Sequence, residues 1–340
     1  MTNVQSNQRL ALPQAAQSRI GHSTQGGAAR TAFLSYGEYI ALRQIGFEPL
    51  AGVVGISVVH LGRPQLSGFK QAMELEVFSQ AIGMGLFAAM GRLQEEAALL
   101  GADGVLVHDV EVRRIHEEHE YYYSGTALRF THSPGSLRTT NGLPFLYSAP
   151  IAHCGASTDG RFPAYDMQLQ SQGRISAVMA LHQMMRLDMA PVTGGYGICV
   201  YHVPHRSMRQ ALGQTFQNTE VPQFTDAWYT AREIAISRLQ AYLEQQGSEI
   251  VIDMEVTKEA DFFGEHTVEF RVRGMGWRRL EGLSRLLPAI DLRPSAIVER
   301  GLQVIGLDAP LGDPGGPGGY VAPPPPPPPP PPLASSSSSD

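Results

Sequence analysis

The chain has 340 residues, about 43% of them hydrophobic, and a formal net charge of −6. That length and composition suffice for two ordinary domains with sizeable cores. The basic residues are scattered and almost all arginine, which excludes the clustered positive footprint of a nucleic-acid binder. The two cysteines, Cys154 and Cys199, form no Cys-x-x-Cys pair, which excludes a zinc ribbon or a thioredoxin-type motif, and nothing in the sequence supports a disulfide between them.

Residues 1–33 are rich in Gln, Ser, Gly and Ala, with no apolar period and no signal core, and read as a disordered tail on a cytoplasmic protein. A short helix follows. Ser35 is placed to accept from the amide of Glu38 while Glu38 reaches back, a capping box, and Gly46 can stop the helix in the left-handed conformation. The run "GVVGISVVH" (52–60) has the β-branched chemistry of a strand. The uncharged stretch 77–91 is too short to span a bilayer of about 30 Å and reads as a buried core helix, so no membrane association is expected. Its glycines allow close packing, at about 0.8–1 kcal/mol each relative to alanine. "RLQ" (92–94) closes the helix and Gly101 fits its C-terminal cap. The strand "GVLVHDVEV" (104–112) and the partner "EYYYSGTALRF" (120–130) complete a hairpin.

Residues 134–173, with many Gly, Pro and Ser, read as a linker. The pattern then begins again. "GGYGICVYH" (194–202) repeats Gly-x-x-Gly-x-x-x-x-His, "RLQ" returns at 238–240 with Gly247 after it, Asp-x-Glu-Val (109–112) returns at 253–256, and Gly274 stands in a strand as Gly125 does. A helix over roughly 225–246 places Trp228, Ala231, Ala235, Leu239 and Tyr242 on one apolar stripe, opposite Arg232, Glu233, Arg238 and Glu244. The tail 282–340 contains a proline run (323–332) that forms a polyproline II rod in an otherwise disordered segment. The expected fold is therefore α+β, with two tandem β-α-β-β two-layer units at 34–133 and 174–281 between disordered tails.

The span "AMGRLQEEAALLGADGVLVHDVEV…YYYSGTALRF" resembles the YbjQ-like heavy-metal-binding domain family. Leu100, Gly101, Ala102, Val105, Gly125, Thr126 and Ala127 carry the resemblance. The second unit keeps Gly247, Val251 and Gly274 but lacks Gly-Thr-Ala. The resemblance implies a dodecin-like β-α-β-β unit, ring-shaped homo-oligomers, pentamers in particular, and heavy-metal binding. Small sheets leave edges that proteins cover by pairing. With two units per chain, five chains stacked as two rings would satisfy that symmetry.

A divalent metal ion is the cofactor implied, with histidines as its ligands. His60 and His202 hold the same place at the end of the first strand of each unit and are the first choice; His116 and His119, three apart in "RRIHEEHEYYY", are the second. A solvated, charged hairpin tip is the more ordinary reading of the latter pair. Cys199 and His202 point to opposite faces of a strand. Asp109 with Glu111, and Asp253 with Glu255, alternate onto one face of their strands, either as a hard-cation site or as an exposed face. No P-loop, His-Glu-x-x-His or Gly-x-Ser-x-Gly elbow occurs, and the chain is not expected to be an enzyme. The alternative function is an assembly scaffold that recruits a protein partner through the polyproline tail.

Overall fold

A computed structural model describes residues 12–24, 31–62, 72–115, 117–148, 167–203, 221–260 and 267–288, all within one compact unit. The fold is α+β. Helices α1 (Gln14–Thr24) and α2 (Tyr36–Gln44) precede β1 (Phe47–His60). A two-residue strand β2 (Met73–Glu74) leads into α3 (Glu76–Leu99), followed by β3 (Gly104–Ile115), β4 (Glu118–Phe130) and β5 (Phe145–Ser148). Then come α4 (Met167–Arg186), β6 (Met189–His202), α5 (Pro222–Gln245), β7 (Ile250–Ala260), β8 (Thr267–Arg279) and a 3₁₀ turn (Leu283–Leu286). One sheet, A, runs β1-β4-β3-β5; the other, B, runs β2-β6-β8-β7.

The local chemistry behaves as the residues dictate. The Ser35–Glu38 capping box forms in both directions, at 3.3 and 2.7 Å. Gly46, Gly101 and Gly247 all sit at φ between +70° and +90°, where a Cβ would be strained. On α5, Ala231, Ala235 and Leu239 are fully buried, with Trp228 and Tyr242 packed beside them.

The second glycine of each Gly-x-x-Gly has a definite steric reason. A Cβ at Gly55 would lie 2.0 Å from the carbonyl oxygen of Ala89 and 2.8 Å from the amide of Leu93 on α3. At Gly197 it would lie 1.8 Å from Ala235 O and 2.7 Å from Leu239 N on α5. In both halves the helix backbone rests directly on the strand, at the same point of the repeat. Both halves also carry a bulge early in the first strand, at Pro49/Ala51 and Pro191/Thr193, and another in the hairpin, at Val107/Asp109 and Ile252/Glu255.

Several expectations need correction. Within the expected tail 1–33, α1 forms and buries Leu12 and Ile20. The expected linker 134–173 contains β5, which pairs in parallel with β3, and the start of α4. After residue 281 the chain adds a 3₁₀ turn that buries Leu283. These segments escaped notice because each relies on tertiary partners: four residues of β5, or the two of β2, have no periodicity to read. The proline run at 323–332 lies outside the described residues.

The core crosses the two halves. One buried cluster joins Leu42, Phe47, Leu128 and Phe145 to Val178, Leu181, Met275 and Trp277. Tyr147 on β5 meets Trp277 on β8 edge-on at 5.7 Å, and Phe87 on α3 lies 4.4 Å from Tyr242 on α5.

Candidate assembly surface

The residues expected to hold a metal are distributed over two sheets. His60 ends β1 in sheet A, is mostly exposed, and has Glu117 at 3.8 Å. His202 ends β6 in sheet B and is buried, opposite Thr267 and Met73. His119 is the second residue of β4 and is buried, 3.5 Å from the hydroxyl of Tyr121, so it is no solvated hairpin tip. Burial and the nearby Arg114 hold its imidazole down at a pKa of about 4. His116 lies outside the described residues. The hairpin bulge of unit 2 puts Asp253 at φ +57°, which breaks the alternation read for Asp253 and Glu255, and Glu255 pairs with Arg273. Cys199 is buried and unpaired with another cysteine; burial pushes its thiol up to about 12. Among the described residues no group of three or more His, Cys, Asp or Glu could hold a metal ion.

A buried polar group that the sequence did not suggest lies under α2. The side chain of His108, the extra residue of the β3 bulge, is 4% exposed. Its Nε2 is 3.0 Å from Thr126 Oγ1 and its Nδ1 is 3.7 Å from the Glu38 carboxylate that closes the capping box. The arrangement ties α2 to sheet A.

The surface feature with the clearest logic is the pair of sheet edges. β2 belongs to the first half of the chain by sequence, yet it pairs with β6 in the second half, Met73 opposite His202 and Glu74 opposite Tyr201. Leu75 N donates to Val200 O at 2.8 Å, and Val200 N donates to Ser79 Oγ at 2.9 Å. Arg238 holds the Glu74 carboxylate through two nitrogens, the longer contact being 3.0 Å, and also donates to Ile198 O at 2.7 Å. Such a two-toothed guanidinium–carboxylate grip fixes both position and direction. A second inter-sheet grip has Arg114 on β3 between Glu259 on β7 and Glu269 on β8.

One edge of sheet A is β1. Its first half is blunted: Gly52 N donates to Thr31 O, Arg19 donates to Gly52 O, and Val54 N donates to Glu96. Its second half presents the apolar Ile56 and Val58, both more than half exposed. The free edge of sheet B is β7, with Ile250, Met254 and Val256 exposed along it. Uncovered apolar edges of this kind are templates for pairing. The sequence held a trace of the device: the two "RLQ" motifs place Arg92 and Arg238 at equivalent points, although the repeat alone did not disclose what the arginines grip.

No family model and no solved structure matches the chain. Against known proteins, the chain is 33% identical over 288 residues to the encapsulin nanocompartment protein Rv1762c of Mycobacterium tuberculosis, which covers 84% of this chain and 98% of that protein. The chain belongs to the family of that nanocompartment protein. This overturns heavy-metal binding as the function of the chain, since the relative matched along nearly its whole length is a compartment protein. The YbjQ-like motifs are positions of backbone geometry, such as Gly101 and Gly125, and such positions recur wherever a helix caps onto a small sheet. A compartment protein is not an enzyme, in keeping with the sequence reading, and the expectation of self-association fits the same membership. Among the described residues no helix is long and apolar enough to cross a membrane.

Proposed function

We propose that this chain is a non-catalytic structural component of a protein nanocompartment and works by associating with further copies of itself. The observation that carries the reading is the relationship to a nanocompartment protein along 98% of that protein's length. Two open sheet edges, each lined by exposed apolar side chains, support it. Each half repeats the order strand, helix, strand, strand, which supports a tandem β-α-β-β architecture of the dodecin-like kind. A five-membered ring is one closed form such an assembly can take. The proline run at 323–332 would recruit a partner with an aromatic-lined groove from the surface of that assembly. A cytoplasmic location belongs to the same reading. Native mass measurement with electron microscopy of the purified full chain tests it. A discrete homo-oligomer is expected, and its mass reads whether five copies close it. A monomer across micromolar concentrations would discard the proposal.

A further inference from the structure

The Gly-x-x-Gly pairs align β6 with β1, so Gly194 holds in the second half the place of Gly52 in the first. Alternation along β6 puts Gly194, Tyr196, Ile198 and Val200 on one face. That face meets the first half: Ile198 and Val200 are buried in one cluster with Leu86 and Leu93 of α3, and Tyr196 packs against it. Of the four, only Gly194 has no side chain to contribute. At Gly52 the corresponding space is filled, since a Cβ there would lie 2.8 Å from the ring of Phe33. At Gly194 the nearest atom to a Cβ would be the carbonyl oxygen of Gly274, 3.9 Å away. The second half thus keeps a space that the first half has closed.

Gly194 lines a cavity of about 30 Å³ between the two sheets. The walls come from both halves, with Tyr123 of β4 and Ser148 of β5 on one side and Tyr196 of β6, Asp253 of β7 and Arg273 of β8 on the other. A space of that size holds about two water molecules, too little for an organic ligand. The chemistry of the walls favours a neutral occupant. Arg273 already grips Glu255, so its charge is answered. Asp253 is exposed, and among the described residues no group of three His, Cys, Asp or Glu converges on a metal.

The polar group left over inside is the hydroxyl of Tyr123. This residue is 3% exposed, and its hydroxyl has no hydrogen-bond partner among the described residues. It lies near enough to the Tyr196 hydroxyl for each to bear on the other's ionisation, yet the two do not meet with the geometry of a hydrogen bond. Burial pushes both phenols up, so both keep their protons and each can donate and accept. Leaving a buried hydroxyl unpaired is costly, and a water molecule between the two phenols satisfies both.

We propose that this cavity binds ordered water, and that the water joins the Tyr123 hydroxyl of the first half to the Tyr196 hydroxyl of the second. The seam between the halves is then bridged by solvent as well as by side chains. The inference goes beyond the assembly reading and does not depend on it.

A density map of the full-length chain at a resolution that shows ordered solvent tests this, together with urea unfolding of Tyr123→Phe at equal chain concentration. Density is expected within hydrogen-bond distance of both hydroxyls, and it weakens in the variant. Phenylalanine keeps the ring and removes only the hydroxyl, so the core stays filled. The sign of the stability change then decides. With water bound, the substitution removes a satisfied hydrogen bond, and the unfolding equilibrium constant rises about two- to tenfold. With the hydroxyl an orphan, the substitution relieves a desolvation penalty, and the constant falls at least about fivefold. Tyr196→Phe is expected to act in the same direction as Tyr123→Phe, and the double variant to lose less than the two losses combined, because one water serves both groups. A dry cavity, a direct bond between the two hydroxyls with no density between them, or a Tyr123→Phe variant as stable as the unmodified chain or more so would each overturn the inference. None of these results touches the assembly reading, which native mass decides separately.

Discussion

His119 shows how one side chain can dominate the acid response of a fold. Its imidazole is buried between β4 and the facing Arg114, Arg271 and Glu269, and burial is the largest influence on it. The folded pKa of about 4 lies below the ordinary 6.5 of an unfolded chain. Above 6.5 neither state binds the proton, so this residue is silent. Between 6.5 and 4 the unfolded state takes up a proton that the folded state refuses, and stability falls as pH falls. Below 4 both are protonated and the loss levels off. The loss is about 2 kcal/mol by pH 5 and about 3 kcal/mol by pH 4. Urea unfolding of the chain and of His119→Gln at pH 7 and pH 5 measures it. The variant is expected to be flatter with pH by that difference, and equal slopes would show that His119 is not the sensitive group. Histidine count and spacing were visible in the sequence, but burial, the largest influence on His119, was not, and two of the charges facing it, Glu269 and Arg271, come from β8, some 150 residues further along.

At the scale of elements, the two long helices and their glycine contacts were the most legible part of the sequence. A period of 3.6 over 24 residues is a strong signal, and Gly-x-x-Gly with "RLQ" recurred in register. What the pattern could not say was which glycine mattered. Gly197 meets helix backbone that cannot move aside, whereas at Gly194 the nearest atom to a Cβ is 3.9 Å away. Gly197→Ala is therefore expected to cost at least about 1–3 kcal/mol, with Gly55→Ala costing the same, as overpacking does. Gly194→Ala should stay within about 0.5 kcal/mol. Thermal or urea midpoints of the three variants decide this, and equal effects at Gly194 and Gly197 would refute the backbone-contact argument. Short elements were illegible for a matching reason. β2 has two residues, and its reason for being a strand is Arg238 and the edge of β6, neither of which is local. The candidate assembly surface was hidden for the same cause: exposed Ile56 and Val58 read as ordinary strand residues until β1 is known to be an edge.

For the molecule as a whole, the two halves that look like separate units in the sequence share part of their core, although α5 also packs a cluster of its own on sheet B. Trp277, on β8, is buried among Phe145, Tyr147 and Leu128 of the first half and Val178, Leu181 and Met275 of the second. The 134–148 segment closes this arrangement, since Tyr147 packs edge-on to Trp277 while its hydroxyl donates to Ala177 O at 3.0 Å. A residue placed at such a junction stabilises both sheets at once. Trp277→Ala is therefore expected to cost about 3–5 kcal/mol, as removing a fully buried aromatic does. More tellingly, the loss should fall on both halves together. Followed by a fluorophore on β3 and another on α5, urea unfolding of the chain and of the variant should give coincident transitions for the two probes, each moved to lower urea by the same amount. If only the α5 probe moves, the halves unfold independently and the shared core contributes little.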